Sequence, residues 1–90
     1  MAPAQSGDLQ VSKYDPLSAY LSGPGPSSRR LSFTEIEEIL GFALPPSARE
    51  HGPWWANDRT HTQAKAWLSI GWETAEWDIT SERVTFRRAD

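Results

Sequence analysis

The sequence of 90 residues contains no cysteine. The chain therefore cannot form a disulfide, a thiolate nucleophile or a Cys-ligated zinc site. No apolar run reaches the roughly 18 residues that mark a membrane span. The first eight residues, MAPAQSGD, lack the charged and apolar regions of a signal peptide. We therefore predict a cytoplasmic protein with no membrane partner.

An excess of positive charge is also missing, since 9 Lys and Arg stand against 12 Asp and Glu, a net charge of -3. This balance argues against a strongly basic coat for nucleic acid. Gly23 and Gly25 are each followed by proline, which removes backbone N–H donors that a phosphate-binding loop needs. A metal site or an acid–base pair could be formed only by His51, Asp58 and His61. These three residues do not follow a known ligand spacing. We predict no enzyme, no cofactor and no metal.

The chain has few aliphatic residues, so aromatic residues must supply much of its hydrophobic core. Leu, Ile, Val and Phe number only 16, but there are five Trp and two Tyr. Each aromatic side chain buries on the order of 150–250 Å², so a small core is within reach. Residues 1–12 are small, polar and without periodicity, which predicts a flexible tail. Residues 13–90 are predicted to form one small domain.

Two helices are predicted in the first half. Asp15 and Pro16 suit the start of a short helix that Gly23 ends; its apolar stripe is Leu17, Tyr20 and Leu21. Residues 33–40 form the second helix, because Ser32 and Glu35 have the spacing of a capping box. Gly41 is expected to end this helix. Its apolar face is Phe33, Ile36 and Leu40, with Ile39 beside it.

A third helix is predicted over residues 61–70, where Thr60 and Gln63 again have capping-box spacing. Its inner stripe is Ala64, Trp67 and Leu68, and its opposite face is His61, Lys65 and Ser69. One or two helical turns are also expected after Pro46, and the segment at Trp54 and Trp55 fits either a turn or a short helix.

The periodicity changes to two from Trp72 onward, which predicts a β-hairpin over residues 75–88. A two-residue loop at Ser81 and Glu82 would place Trp77 opposite Phe86, both on the apolar face. Ser-Glu is a poor sequence for such a tight turn, so a wider loop is the alternative.

These elements predict an α+β fold: a small winged-helix-like domain with three or four short helices followed by a C-terminal β-hairpin. A short strand or turn is expected at 29–32. Helix 33–40 would be the scaffold helix, helix 61–70 the recognition helix, and the hairpin the wing. About 20 residues separate the two helices, against the 3–4 residues of a typical helix-turn-helix, so the double-tryptophan segment would be an elaboration.

The candidate binding surface centres on the stretch from Trp54 to Lys65. Trp54 and Trp55 are adjacent, so one element cannot easily bury both, and an exposed one could stack on bases or anchor a partner. The polar residues that follow are of the kinds that contact base edges and phosphates. The candidate residues are Arg49, Trp54, Trp55, Asn57, Arg59, His61, Gln63, Lys65, Arg87 and Arg88.

Several motifs resemble those of a family of small bacterial proteins, frequent in actinobacteria, that is defined only as a domain of unknown function. They are KYDPL at 13–17, LSFxEIExILG at 31–41, LPxSAR at 44–49, WWxN at 54–57, HxQAxAW at 61–67, GW at 71–72 and VxFxR at 84–88. The resemblance extends over residues 13–88 and implies no activity.

Two functions remain open. The first is a non-enzymatic nucleic-acid-binding or regulatory module, with DNA as the partner and helix 61–70 contacting it. The second is a protein-interaction or accessory module that docks through Trp54 and Trp55. Salt dependence separates them, because DNA binding weakens steeply with salt.

Overall fold

Short helices and strands make up residues 13–89, which the structure, a computed structural model, describes. The elements are α1 Asp15–Ser22, β1 Ser28–Ser32, α2 Phe33–Leu40, α3 Pro46–Glu50, a 3₁₀ helix Gly52–Trp55, α4 Thr62–Leu68, β2 Trp72–Asp78 and β3 Arg83–Arg88. The strands form an antiparallel sheet in the order β1-β3-β2. This architecture confirms the predicted α+β fold, its short helices and its C-terminal hairpin. The predicted tail, 1–12, lies outside the described residues.

The start of α2 is the capping box that its sequence predicts. The Glu35 N–H donates to Ser32 Oγ at 3.0 Å, and the Ser32 N–H donates to Glu35 Oε1 at 2.8 Å. At the other end Gly41 has a φ of 87°, a left-handed conformation that glycine adopts without a steric penalty. The helix is thereby fixed at both ends by local chemistry.

Removing the cap should measurably destabilise the domain. We expect Ser32→Ala to lower the free energy of unfolding by roughly 0.5–2 kcal/mol, because the Glu35 N–H loses its acceptor. Thr34→Ala, on the exposed side of the first turn, should have much less effect. Urea melts of the two variants check this, and equal effects would contradict the assignment of Ser32 as the cap.

The predictions for α1 and α4 were wrong in detail. Asp15 is the first residue of α1 rather than its cap, and Tyr20 is 42% exposed instead of lying on the buried stripe. In α4 the Thr60–Gln63 capping box does not form. The Thr60 hydroxyl donates to Asp58, and the Gln63 side chain donates to the carbonyl of Trp54. Tertiary partners thus override the local capping pattern.

The core is built around Trp55, which has no exposed surface. Its ring stacks between Phe33, at a centroid distance of 5.1 Å, and Trp67, at 6.3 Å. Trp67 in turn meets the edge of Phe86 on the sheet at 5.2 Å. A hydrogen bond from Ser18 Oγ to the Ala66 carbonyl joins α1 to α4. The aromatic residues therefore connect the helices to the sheet.

The predicted register of the hairpin was wrong. Trp77 lies opposite Val84, and Phe86 lies opposite Thr74. The loop spans residues 79–82, the wider alternative, with Glu82 in a left-handed conformation at φ 57°. The pairing is also interrupted between Thr74 and Glu76, so an extra residue shifts the alternation. Trp77 packs against Gly52 at the border of the fold and is 36% exposed instead of buried.

Candidate functional site

α4 and the residues that flank it present a narrow polar surface, because most of this short helix is buried. Gln63, Ala64, Ala66 and Trp67 all face the interior. The side chains left at the surface define what we call the α4 surface: Arg59, Thr60, Thr62, Lys65 and Ser69. Within residues 13–89, neither Arg59 nor Lys65 forms an ion pair. Both cations are therefore available to an anionic partner.

Asp58 orders the approach to α4. Its Oδ1 accepts the backbone N–H of Thr60 at 2.9 Å and the Thr60 hydroxyl at 2.6 Å. The hydroxyl bond first, and then the N–H bond, lower the pKa of Asp58 below its ordinary value. His61 Nε2 lies 3.7 Å from the other carboxylate oxygen. This turn fixes the chain direction immediately before the helix.

Asn57 is a structural residue that links three segments. Its Oδ1 accepts from Trp67 Nε1 at 2.9 Å, from the Thr74 N–H at 2.8 Å and from Thr74 Oγ1 at 3.0 Å. Its Nδ2 donates to the Thr74 carbonyl at 3.0 Å. The side-chain amide thus pairs with the outer edge of β2 as a neighbouring strand would. Its hydrogen-bonding groups are engaged inside the protein.

Trp54, Trp55 and Gln63 are also engaged internally. Trp55 Nε1 donates to the Ala48 carbonyl at 2.8 Å, and its ring is fully buried. Gln63 is buried and donates to the Trp54 carbonyl at 3.0 Å. Trp54 is half-buried and meets the edges of Tyr14 and Trp55. Of the tryptophan pair, only Trp54 has surface that a partner could contact.

Arg49 lies in a clamp that joins α3 to α2 and to the hairpin loop. Its guanidinium donates to Glu37 Oε2 and to Glu82 Oε2, each at 2.8 Å, and lies over the Phe33 ring. The hydrogen bond from Arg49, followed by the one from the Leu44 N–H, lowers the pKa of Glu37. These contacts account for Arg49 as a structural residue.

The clamp predicts a specific pH dependence. Because the folded state lowers the pKa of Glu37, its contribution to stability is present above the unfolded-state pKa and is lost as pH falls through the folded value. We expect Glu37→Gln to flatten the loss of stability between about pH 5 and about pH 3. Glu38→Gln, on the exposed side of α2, is the matched control. Parallel profiles for Glu37→Gln and the unmodified protein in urea melts would contradict the clamp.

The two candidate arginines on β3 face opposite sides of the sheet. Arg87 donates to Glu73 Oε2 at 2.7 Å across the solvent face. Arg88 lies 5.7 Å from the centre of the Trp72 ring. Both are exposed, but each already has a contact within the sheet.

Two further exposed cations, Arg30 and Arg83, are not among the candidate residues predicted from the sequence. Arg30 and Arg83 lie diagonally on the solvent face of the sheet, since Arg30 is opposite Thr85 and Arg83 is opposite Ser32. Neither forms an ion pair in the part of the chain that the structure describes. The alternation of polar and apolar residues over 28–32 indicates a strand with one solvent face. It does not reveal that β1 pairs with β3, which places Arg30 and Arg83 on the same face.

Comparison with known proteins agrees with the predicted resemblance to a domain of unknown function. The family model named Domain of unknown function (DUF7662) matches residues 14–89, and the chain belongs to this family. No curated protein and no solved structure matches the chain. Between residues 13 and 89, no helix has the length and apolar character needed to cross a bilayer.

Proposed function

We propose that this domain is a non-enzymatic nucleic-acid-binding module of a bacterial cytoplasmic regulatory protein, and that its α4 surface contacts duplex DNA. The observation that carries the proposal is the position of Arg59 and Lys65. Both side chains are exposed and without ion pairs within residues 13–89. Arg59 precedes α4, and Lys65 lies in its last turn, on the face of the helix that is not buried. Cations in this state can neutralise phosphates without breaking internal contacts.

The arrangement of elements supports the same proposal by analogy. With α3 and the 3₁₀ helix left aside, the order α1-β1-α2-α4 followed by the β2-β3 hairpin, with β1 paired to β3, resembles that of winged-helix domains. In that arrangement α4 is the recognition helix and the hairpin is the wing. Fold alone does not imply function, so the cations on α4 carry the argument.

Each part of the surface has a defined role in this proposal. Arg59 and Lys65 contact phosphates, while the hydroxyls of Thr62 and Ser69 offer hydrogen bonds to the backbone or to base edges. His61, beside Asp58, contributes at the border of the same surface. Arg87 or Arg88 would touch a phosphate from the sheet. The hairpin loop ends in Glu82, so phosphate contacts there are disfavoured.

The test is binding to a dye-labelled duplex of random sequence, followed by fluorescence anisotropy across a salt series. We expect Arg59→Ala with Lys65→Ala to abolish binding at moderate salt. A single substitution should reduce the slope of log K against log salt by about one per phosphate contact removed. The melting temperature should stay within a few degrees, because exposed charges contribute little to folding.

The matched control is Arg30→Ala with Arg83→Ala, which removes the same charge from exposed positions on the sheet. It should retain most of the duplex binding. Equal losses in the two double variants would mean that only net charge matters, and would contradict the assignment of α4. If neither double variant weakens binding to a partner protein, and Trp54→Ala abolishes that binding, the protein-docking alternative replaces this proposal.

A further inference from the structure

The two edges of the sheet differ in how they are protected. At the β2 edge, Asn57 occupies both the N–H and the C=O of Thr74. At the β1 edge, no strand or side-chain amide takes that place within residues 13–89. An open strand edge is a ready template for another extended chain. The β1 edge is therefore the place where this sheet can be extended.

The hydrogen-bonding pattern identifies which backbone groups of β1 have no partner within residues 13–89. The Phe33 N–H donates to the Glu82 carbonyl at 2.9 Å, and the Arg88 N–H donates to the Ser27 carbonyl at 2.8 Å. In an antiparallel pair these bonds recur at every second residue. Residues 29 and 31 therefore bond to β3, while the N–H and C=O groups of Ser28 and Arg30 point outward. The outward N–H of Ser32 is already held by Glu35.

A groove runs beside the same edge. It measures about 520 Å³ and separates β1 from the end of α1 and the Gly-Pro loop. Tyr20, which is 42% exposed, contributes to its apolar side together with the prolines of the loop. Arg29 holds this loop in place, since its guanidinium donates to the carbonyls of Tyr20 and Gly23. The groove has space for small apolar side chains.

The charge at this edge selects the occupant. Arg30 is exposed, and Arg83 lies diagonally across from it on the solvent face. A second copy pairing antiparallel about Arg30 would bring the two Arg30 side chains together, which is unfavourable. Asp78 lies opposite Arg83, but its Oδ1 accepts the N–H groups of Thr80 and Ser81. An acidic strand avoids this repulsion between two Arg30 side chains, and Glu35, which lines the groove, already accepts the Ser32 N–H.

We propose that β1 binds an extended acidic peptide segment of a partner protein as a fourth, antiparallel strand. Its backbone pairs with the outward N–H and C=O groups of Arg30. Its carboxylates lie beside Arg30 and Arg83 on the solvent face, and the small apolar side chains between them lie over the groove at Tyr20. Main-chain bonds supply affinity in this mode, and the alternate side chains supply specificity.

The direct test uses the dye-labelled peptide acetyl-Glu-Val-Glu-Val-Glu-Val-Glu-amide in a fluorescence anisotropy titration. We expect saturable binding, and at least about tenfold weaker binding when lysine replaces every glutamate. Residues opposite each other in an antiparallel pair share a face, so the glutamate nitrogens point at β1. Methylating those nitrogens should abolish binding, whereas methylating the valine nitrogens should leave it nearly unchanged.

Two protein variants separate backbone pairing from charge. Arg30→Val removes the charge and keeps the N–H, and Arg30→Pro removes both. Proline is tolerated on an edge strand where its nitrogen faces solvent. We expect Arg30→Pro to bind about tenfold more weakly than Arg30→Val. The pair Arg59→Ala and Lys65→Ala should bind the peptide normally, so this proposal and the DNA proposal can fail independently.

Three outcomes would overturn the proposal. One is equal binding of the two methylated peptides, which would exclude strand pairing. A second is equal binding of the glutamate and lysine peptides, which would exclude the acidic partner. The third is a dimer in sedimentation experiments that Arg30→Pro converts to a monomer, which would make a second copy of this chain the occupant of β1.

Discussion

Trp55→Ala is expected to remove a large part of the domain's free energy of unfolding. Trp55 has no exposed surface and lies between Phe33 and Trp67, and its indole N–H is held by the Ala48 carbonyl. Truncating a buried tryptophan to alanine costs roughly 3–5 kcal/mol, a large share of the roughly 5–15 kcal/mol that stabilises a typical domain. Urea melts followed by far-ultraviolet circular dichroism measure the loss.

Trp77→Ala is the matched control, since it removes the same side chain from the sheet. Trp77 is 36% exposed, and its indole packs over Gly52 at the border of the fold. We expect a clearly smaller loss of stability than for Trp55→Ala. Equal losses would contradict the partial exposure of Trp77 at the border of the fold.

Asn57→Ala is expected to lower the free energy of unfolding by about 2–6 kcal/mol. The substitution leaves Trp67 Nε1 and the Thr74 N–H without their acceptor, and both residues are buried. Each buried donor without a partner costs about 1–3 kcal/mol. The Thr74 hydroxyl also loses its bond to Asn57 Oδ1, but it still donates to the Trp55 carbonyl. It therefore adds no unpaired donor to this cost.

The neighbouring variant Asp58→Ala provides the control for Asn57→Ala. Among the residues that the structure describes, Asp58 bonds only within its own exposed turn, so its removal should change stability much less. Thermal melts monitored by circular dichroism compare the two. If the two substitutions had the same small effect, water would be satisfying the donors, and Asn57 would not hold α4 to the sheet.

Local signals allowed the sequence to predict much of the fold. The capping box of Ser32 and Glu35 fixes the first residue of α2, and Gly41 fixes its end, because all partners lie within a few residues. The hairpin register depended on a wider loop and on an irregularity between Thr74 and Glu76. Neither interrupts the apolar alternation in the sequence, which is why Trp77 was placed in the core.

The candidate site was harder to predict, because polar residues for recognition and for internal bonding look alike. Arg49 pairs with Glu82, which is 33 positions away, and Asn57 bonds to Thr74, which is 17 positions away. No local pattern reveals such partners. Arg59 and Lys65 carry the proposed contact because the fold leaves them exposed and without ion pairs between residues 13 and 89.

A single NMR titration tests most directly whether the α4 surface binds nucleic acid. Amide resonances of the ¹⁵N-labelled protein are followed as an unlabelled duplex is added at low salt. We predict shifts that concentrate in residues 59–69 and disappear at high salt, because counterion release drives the association. Shifts confined to β1 and the loop at 23–26, or no shifts at all, would contradict α4 as the nucleic-acid interface.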